Sequence, residues 1–290
     1  MRLLFLIFLA LTLQAQDYSA FWRGTLDQLA AEPVEATEKA LREPLPYKTW
    51  EIEYRSLGAA RVRALLALPI GGPAQLPTIV TAPGYGGLQQ GIMLAECQRG
   101  YAILQVFPRA ITGEKLTHGI ERPEGAYYQL AYADLIRAVD YLLTRKDIDP
   151  QRIAIAGTSQ GGGIALAVAS LDPRIKAVAA HVPFLCDFRQ SARTPGSLVK
   201  QILDKAGKND ETHLRTLAYF DPLHLVQNLR VPAILSSGGR DTTCPAATIR
   251  AVFDRIASVK SLFHDPALTH TTSPAFYKLT WQWLDSYLKP

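Results

Sequence analysis

Arg152-Ile153-Ala154-Ile155-Ala156-Gly157-Thr158-Ser159-Gln160-Gly161-Gly162-Gly163 is the stretch whose reading decides the fold. The run Arg152 to Ala156 is short and apolar, which predicts a buried strand. Small residues from Gly162 to Ser170 predict a closely packed helix. Between them, Gly157-Thr158-Ser159-Gln160-Gly161 predicts a sharp turn with serine at its apex. In a strand-turn-helix of this kind the serine is lifted clear of the sheet, where its hydroxyl can reach a carbonyl carbon. The two glycines are needed because a side chain at either place would clash across so tight a turn.

The same alternation extends on both sides. Trp50, Ile52 and Tyr54 predict one face of a strand, with Glu51 and Glu53 on the other. Arg61 to Leu68 predicts its hairpin partner, and Gly58 marks the turn. Thr78 to Ala82, Ala102 to Phe107, Ile175 to Val182, Pro232 to Ser237 and Lys260 to His264 read as further strands, buried and parallel where they are most apolar. Helices are predicted over Gly125 to Arg145, after Ser159, over Ala246 to Ser258 and over Ser273 to Leu288. Asp149-Pro150 is read as closing the first of these. The expectation is an α/β-hydrolase fold: a mainly parallel central sheet, helices on both faces, and an antiparallel edge. Residues 184–228 break the alternation and are read as a small inserted helical cap; residues 17–45 are read as an N-terminal arm with helical pieces.

A chain of 290 residues, 48% hydrophobic, is long enough for one large α/β unit. Arg2 followed by the apolar run Leu3 to Leu13 and by Leu13-Gln14-Ala15 reads as a secretory signal over residues 1–15, so export to the periplasm or medium is expected and stable membrane insertion is not. The formal charge of +5 comes from scattered Lys and Arg, which gives no reason to expect nucleic acid as a partner. Three cysteines, Cys97, Cys186 and Cys244, allow at most one bridge; Cys186–Cys244 and buried free thiols are both left open.

A serine hydroxyl needs a base, and the base needs an orienting acid. In the α/β-hydrolase order the acid and then the histidine follow the serine. Asp241 follows the strand ending near Ser237, and His270 follows the strand ending near His264. Loops at the carboxyl ends of parallel strands face the active-site crevice, so Ser159, Asp241 and His270 are the candidate catalytic residues. Among the six histidines, His118, His181, His213 and His224 fall in the wrong order or element, and His264 is expected within its strand. The backbone N–H groups of Gln160 and of the glycine-rich loop at Tyr85 are the candidate oxyanion donors. Pro183 and Phe184 end the neighbouring strand and are expected to wall the substrate pocket. His264, Asp265 and His270 match no familiar metal spacing, and no dinucleotide or Walker loop is present, so neither a metal nor another cofactor is expected.

These residues resemble the acetyl xylan esterase and cephalosporin C deacetylase family, carbohydrate esterase family seven. The resemblance spans nearly the whole mature chain: Asp17 to Trp22, the Gly84-Tyr85 loop, Gly157 to Gly162, Pro183-Phe184-Leu185, and Gly239-Arg240-Asp241-Thr242-Thr243-Cys244-Pro245. It implies an exported serine esterase acting on acetyl or other short acyl esters of small molecules or oligosaccharides. It also implies Tyr85 N–H as an oxyanion donor. Two family motifs depart here, the Arg-Gly-Gln reading Arg109-Ala110-Ile111 and the final His-Glu reading His270-Thr271; substrate class and homo-oligomer assembly stay open for that reason. The rival readings are a prolyl-oligopeptidase-like peptidase, a general carboxylesterase, and a non-catalytic binding protein on the same scaffold.

Overall fold

The computed structural model describes residues 17–41, 47–87 and 94–289. The expected export signal, residues 1–15, lies outside them. The strands are β1 (Thr37–Ala40), β2 (Tyr47–Ser56), β3 (Ala60–Pro69), β4 (Leu76–Ala82), β5 (Ala102–Phe107), β6 (Ile148–Thr158), β7 (Ala177–His181), β8 (Ala233–Gly238) and β9 (Lys260–Asp265). They form one sheet in the order β1-β2-β3-β5-β4-β6-β7-β8-β9. The pairs from β1 through β3 to β5 are antiparallel, and every pair from β5 to β9 is parallel.

Burial follows from that arrangement. Strands β4, β5 and β7 are buried at every position, as expected of parallel strands covered on both faces, and their sequences are near-continuous apolar runs. Strand β2 instead alternates, with Ile52 and Tyr54 inside and Glu53 exposed. The helices are α1 (Tyr18–Ala31), α2 (Leu94–Cys97), α3 (Tyr127–Leu143), α4 (Gln160–Leu171), α5 (Phe188–Ser191), α6 (Leu198–Lys205), α7 (Glu211–Leu217), α8 (Pro222–Leu225), α9 (Ala246–Arg255) and α10 (Pro274–Leu288). Helices α3 and α4 bury apolar side chains with Val80, Leu104 and Ile155 on one face of the sheet. Trp281, Leu284 and Leu288 of α10 pack with Ile79, Ile103 and Ala154 on the other. Asp17 caps α1 by accepting from Ala20 N at 2.8 Å. The helix then docks through Trp22, whose ring stacks on Tyr132 and whose Nε1 donates to Tyr219 O at 2.8 Å.

Several boundaries differ from the sequence expectation. Gly125 lies outside α3, at φ 81°, with its N–H donated to Gln129 Oε1, so the helix starts two residues later at Tyr127. Asp149-Pro150 belongs to β6 rather than to a helix end. The β4–β6 ladder changes register between Leu76 and Thr78, and such an irregularity tolerates a residue without an N–H. Strand β1 was not foreseen, because its four residues, Thr-Glu-Lys-Ala, are all exposed and carry no alternation. Residues 184–228 contain α5 to α8, and their Phe188, Leu203, Leu217 and Phe220 join the main core. The cysteines resolve to buried free thiols at all three positions, with no Cys186–Cys244 bridge.

Candidate active site

The site is built at the carboxyl ends of β4, β6, β8 and β9. Leaving β6, the chain turns at Ser159 with φ 56° and ψ −118°, a left-handed conformation that costs a non-glycine residue about 1–3 kcal/mol. Close packing holds it there. A Cβ at Gly161 would strike the carbonyl oxygen of Ala82, and one at Gly157 would strike the backbone of Gly161. Ser159 N donates to His181 O at 2.9 Å, and Ser159 O accepts from Phe184 N at 2.9 Å and Gly163 N at 3.1 Å. The turn is therefore tied to the end of β7 as well as to its own helix.

The acid loop leaves β8 and the histidine loop leaves β9, and the two are stitched together. Gly239 N donates to Asp265 O at 2.8 Å and Arg240 N to Leu268 O at 2.9 Å. This approach requires Gly238 and Gly239, where a Cβ would collide with the backbone of Leu268 and of Pro266 respectively. Asp241, with no exposed side-chain surface, accepts from Cys244 N at 2.8 Å through Oδ1. Its Oδ2 lies 2.8 Å from His270 Nδ1, and His270 Nε2 lies 3.0 Å from Ser159 Oγ. With Nδ1–H facing the carboxylate, Nε2 is left to accept from the serine hydroxyl. An imidazole so held can take a proton from an attacking hydroxyl and return it to a leaving group. Ser159, Asp241 and His270 are thus brought together. His264 is not: it stays in β9, its Nδ1 2.9 Å from Ser237 Oγ. His181 ends β7 with Nε2 3.2 Å from Thr280 Oγ1, and burial pushes its pKa down to about 4.

Gln160 begins α4 beside the serine. Its side chain is buried, accepting from Tyr128 Oη at 3.1 Å and donating to Pro83 O at 3.5 Å, so it links the elbow to the loop after β4. Tyr85 in that loop presents its ring edge-on to Phe184, with centroids 5.5 Å apart. Its Oη accepts from Leu116 N at 3.0 Å, and its carbonyl accepts from Lys115 Nζ at 2.7 Å. Burial holds the Lys115 ammonium below its ordinary pKa, with Glu114 pulling the other way. Pro183 and Phe184 are both buried directly after β7. Sequence reasoning missed Lys115 and the role of the Cys244 amide. Lys115 lies 30 positions from the tyrosine it touches, and no local pattern marks it.

Among the described residues, one group of metal-ligand types lies close together: Asp241, Cys244 and His270, with ligand atoms within 4.8 Å of one another. Two of the three are already hydrogen-bonded to each other. Burial, reinforced by the Asp241 charge, pushes the Cys244 thiol up and so opposes the thiolate that metal ligation needs.

A mainly parallel sheet with a serine elbow at its centre, followed in chain order by an acid and a histidine on later strand ends, defines the α/β-hydrolase class, and the protein is a carboxylic ester hydrolase of that class. Within it, the chain belongs to the acetyl xylan esterase (AXE1) family, whose model matches residues 10–287. It is similar to the acetyl esterase Axe7A of Xylanibacter ruminicola, 22% identical over 301 residues that cover 96% of this chain and 68% of that protein. Among solved structures, acetyl xylan esterase 1 from Thermoanaerobacterium sp. superposes with a TM-score of 0.88 at 20% identity, covering 95% of this chain and 94% of that one. The acetyl xylan esterase from Paenibacillus sp. R4 superposes with a TM-score of 0.86 at 27% identity, covering 94% and 95%.

Proposed function

We propose that the protein removes acetyl or other short acyl groups from carbohydrate esters through a covalent acyl-enzyme. The observation that carries this reading is the unbroken hydrogen-bond chain from Ser159 Oγ through His270 to the buried Asp241. Ser159 attacks the ester carbonyl as His270 takes its proton. Asp241 keeps the imidazole in the required tautomer and balances its charge. The Tyr85 and Gln160 N–H groups receive the negative charge that develops on the carbonyl oxygen. Collapse expels the sugar hydroxyl, protonated by His270, and water repeats the sequence on the acyl-enzyme.

The substrate class rests on the family and on the acetyl esterase and acetyl xylan esterase activities of its relatives. Tyr85 and Phe184, packed edge to face, support a shallow acyl pocket. Export is proposed from Arg2 and the apolar Leu3 to Leu13. No helix among the described residues is long and apolar enough to cross a membrane. The test is labelling with a serine-directed phosphonate, beside hydrolysis of acetylated xylo-oligosaccharides and p-nitrophenyl esters. Modification is expected at Ser159, with acetate released from the oligosaccharides. Labelling at another residue, or acetylated sugars left untouched while long-chain esters turn over, would overturn the reading.

A further inference from the structure

We propose that Lys115 is a positioning residue for the oxyanion-binding loop, clamping Tyr85 so that its N–H stays aimed at the reacting carbonyl. The inference rests on the reading of Tyr85 as an oxyanion donor. Tyr85 sits between Gly84 and the pair Gly86-Gly87, and glycines on both sides leave the loop few conformational restraints of its own. Within the loop, Gly87 N donates to Gly84 O at 3.1 Å. Beside the packing of its ring on Phe184, the residue is held by polar bonds from the connection between β5 and α3. Lys115 Nζ donates to Tyr85 O at 2.7 Å and stands 5.5 Å from the centre of the Tyr85 ring. The next residue, Leu116, donates its N–H to Tyr85 Oη at 3.0 Å.

These bonds act on different parts of one residue. Holding the carbonyl fixes the peptide plane that follows Tyr85. Holding the phenol oxygen fixes the direction of the side chain. Together they fix the Tyr85 Cα that carries the N–H, while the Gly87 N–H on Gly84 O holds the preceding peptide plane, and none of these groups needs to touch substrate. The anchor is itself secured, because Lys208 Nζ donates to Thr117 O at 3.2 Å. An ammonium is suited to the carbonyl end of the clamp. A charge-assisted hydrogen bond is shorter and stronger than a neutral one, and partial burial leaves less water to compete for the Tyr85 carbonyl. Preorganised donors contribute to the rate only while aimed at the oxygen as it becomes charged. Loosening the clamp should therefore weaken transition-state binding and leave ground-state binding alone.

Kinetics of Lys115→Met and Lys115→Arg on p-nitrophenyl acetate, per active site titrated, test the inference. K115M should lose about tenfold in kcat, less than the roughly 10²–10³ that loss of a donor itself costs, with KM within about twofold. Affinity for a boronic acid that forms a tetrahedral adduct on the serine should fall by the same factor, and K115R should restore most of the rate. Should the methionine variant not fold, K115A removes the same donor and carries the same test. Unchanged kcat in K115M, or a rise in KM with boronate affinity intact, overturns the proposal. A crystal structure of the wild-type phosphonate adduct separates this from the underlying reading. If the phosphoryl oxygen is not within hydrogen-bond distance of Tyr85 N, the assignment of Tyr85 fails whatever Lys115 does.

Discussion

Cys244 donates its main-chain N–H to Asp241 Oδ1 at 2.8 Å, which leaves Oδ2 for His270 Nδ1 at the same distance. The carboxylate is thus oriented by its own loop, three residues ahead in the chain. Asp241→Asn should keep that loop folded, since the amide oxygen can still accept from Cys244 N. Its NH2 would then face Nδ1 and favour the wrong imidazole tautomer, lowering kcat by roughly four orders of magnitude. Steady-state kinetics beside a far-UV circular dichroism spectrum measure this, and a rate within tenfold of wild type would refute the role given to Asp241.

The two C-terminal histidines should separate cleanly. His264 is exposed on β9 and meets Ser237, so His264→Ala should keep most of the activity. His270→Ala should lose at least three orders of magnitude in kcat, as removal of a member of such a chain typically does. Assaying both variants on one acetyl ester decides it, and the opposite ranking would move the base to His264.

Acetyl esters should be preferred to butyryl esters by tenfold or more, because each excluded methylene is worth about 1–3 kcal/mol in discrimination. The proposed wall is the Tyr85–Phe184 pair, whose rings pack edge to face. Phe184→Ala should narrow the ratio of kcat/KM between the two esters. Values that rise with chain length in the wild type would instead indicate a general carboxylesterase.

Stability should depend on pH through His181. Burial lowers its pKa from 6.5 to about 4, so the unfolded chain binds the proton more readily than the fold does. The contribution is complete above pH 6.5 and is lost as pH falls from there toward 4, by roughly 3 kcal/mol in all. Asp221 acts in the opposite sense. Burial raises its carboxyl from 3.8 to about 7, so its protonated form is favoured in the fold and it adds stability as pH falls through that range. Comparing urea denaturation of wild type and His181→Leu between pH 4 and 7 isolates the histidine. The variant should lose less stability on acidification, and identical slopes would contradict the assignment.

Much of this architecture could be read from the sequence because β4, β5, β7 and β8 are buried along their whole length, so each appears as a largely apolar run between turn residues. The order of Ser159, Asp241 and His270 was legible for a related reason: each lies in the turn or loop that follows the carboxyl end of a predicted strand. What escaped were features set by long-range contact. Strand β1 has no apolar face to announce it and forms by pairing with Glu51 and Glu53 of β2. The packing role of Gly238 and Gly239 escaped as well: their absent side chains admit the histidine loop. Lys115 carries no local pattern, and it is the fold that brings it to Tyr85.

The left-handed backbone of Ser159 sets activity and durability against each other at a single position. Every other candidate residue can be held in a relaxed conformation, but this one must be strained to present its hydroxyl. Ser159→Gly should accordingly yield an inert protein that resists urea better by about 1 kcal/mol, the relief of strain less the entropy that glycine loses on folding. Such a variant would show directly how much robustness the lineage has forgone to keep turnover, and why searches for thermostable relatives by stability alone would drift toward silent scaffolds.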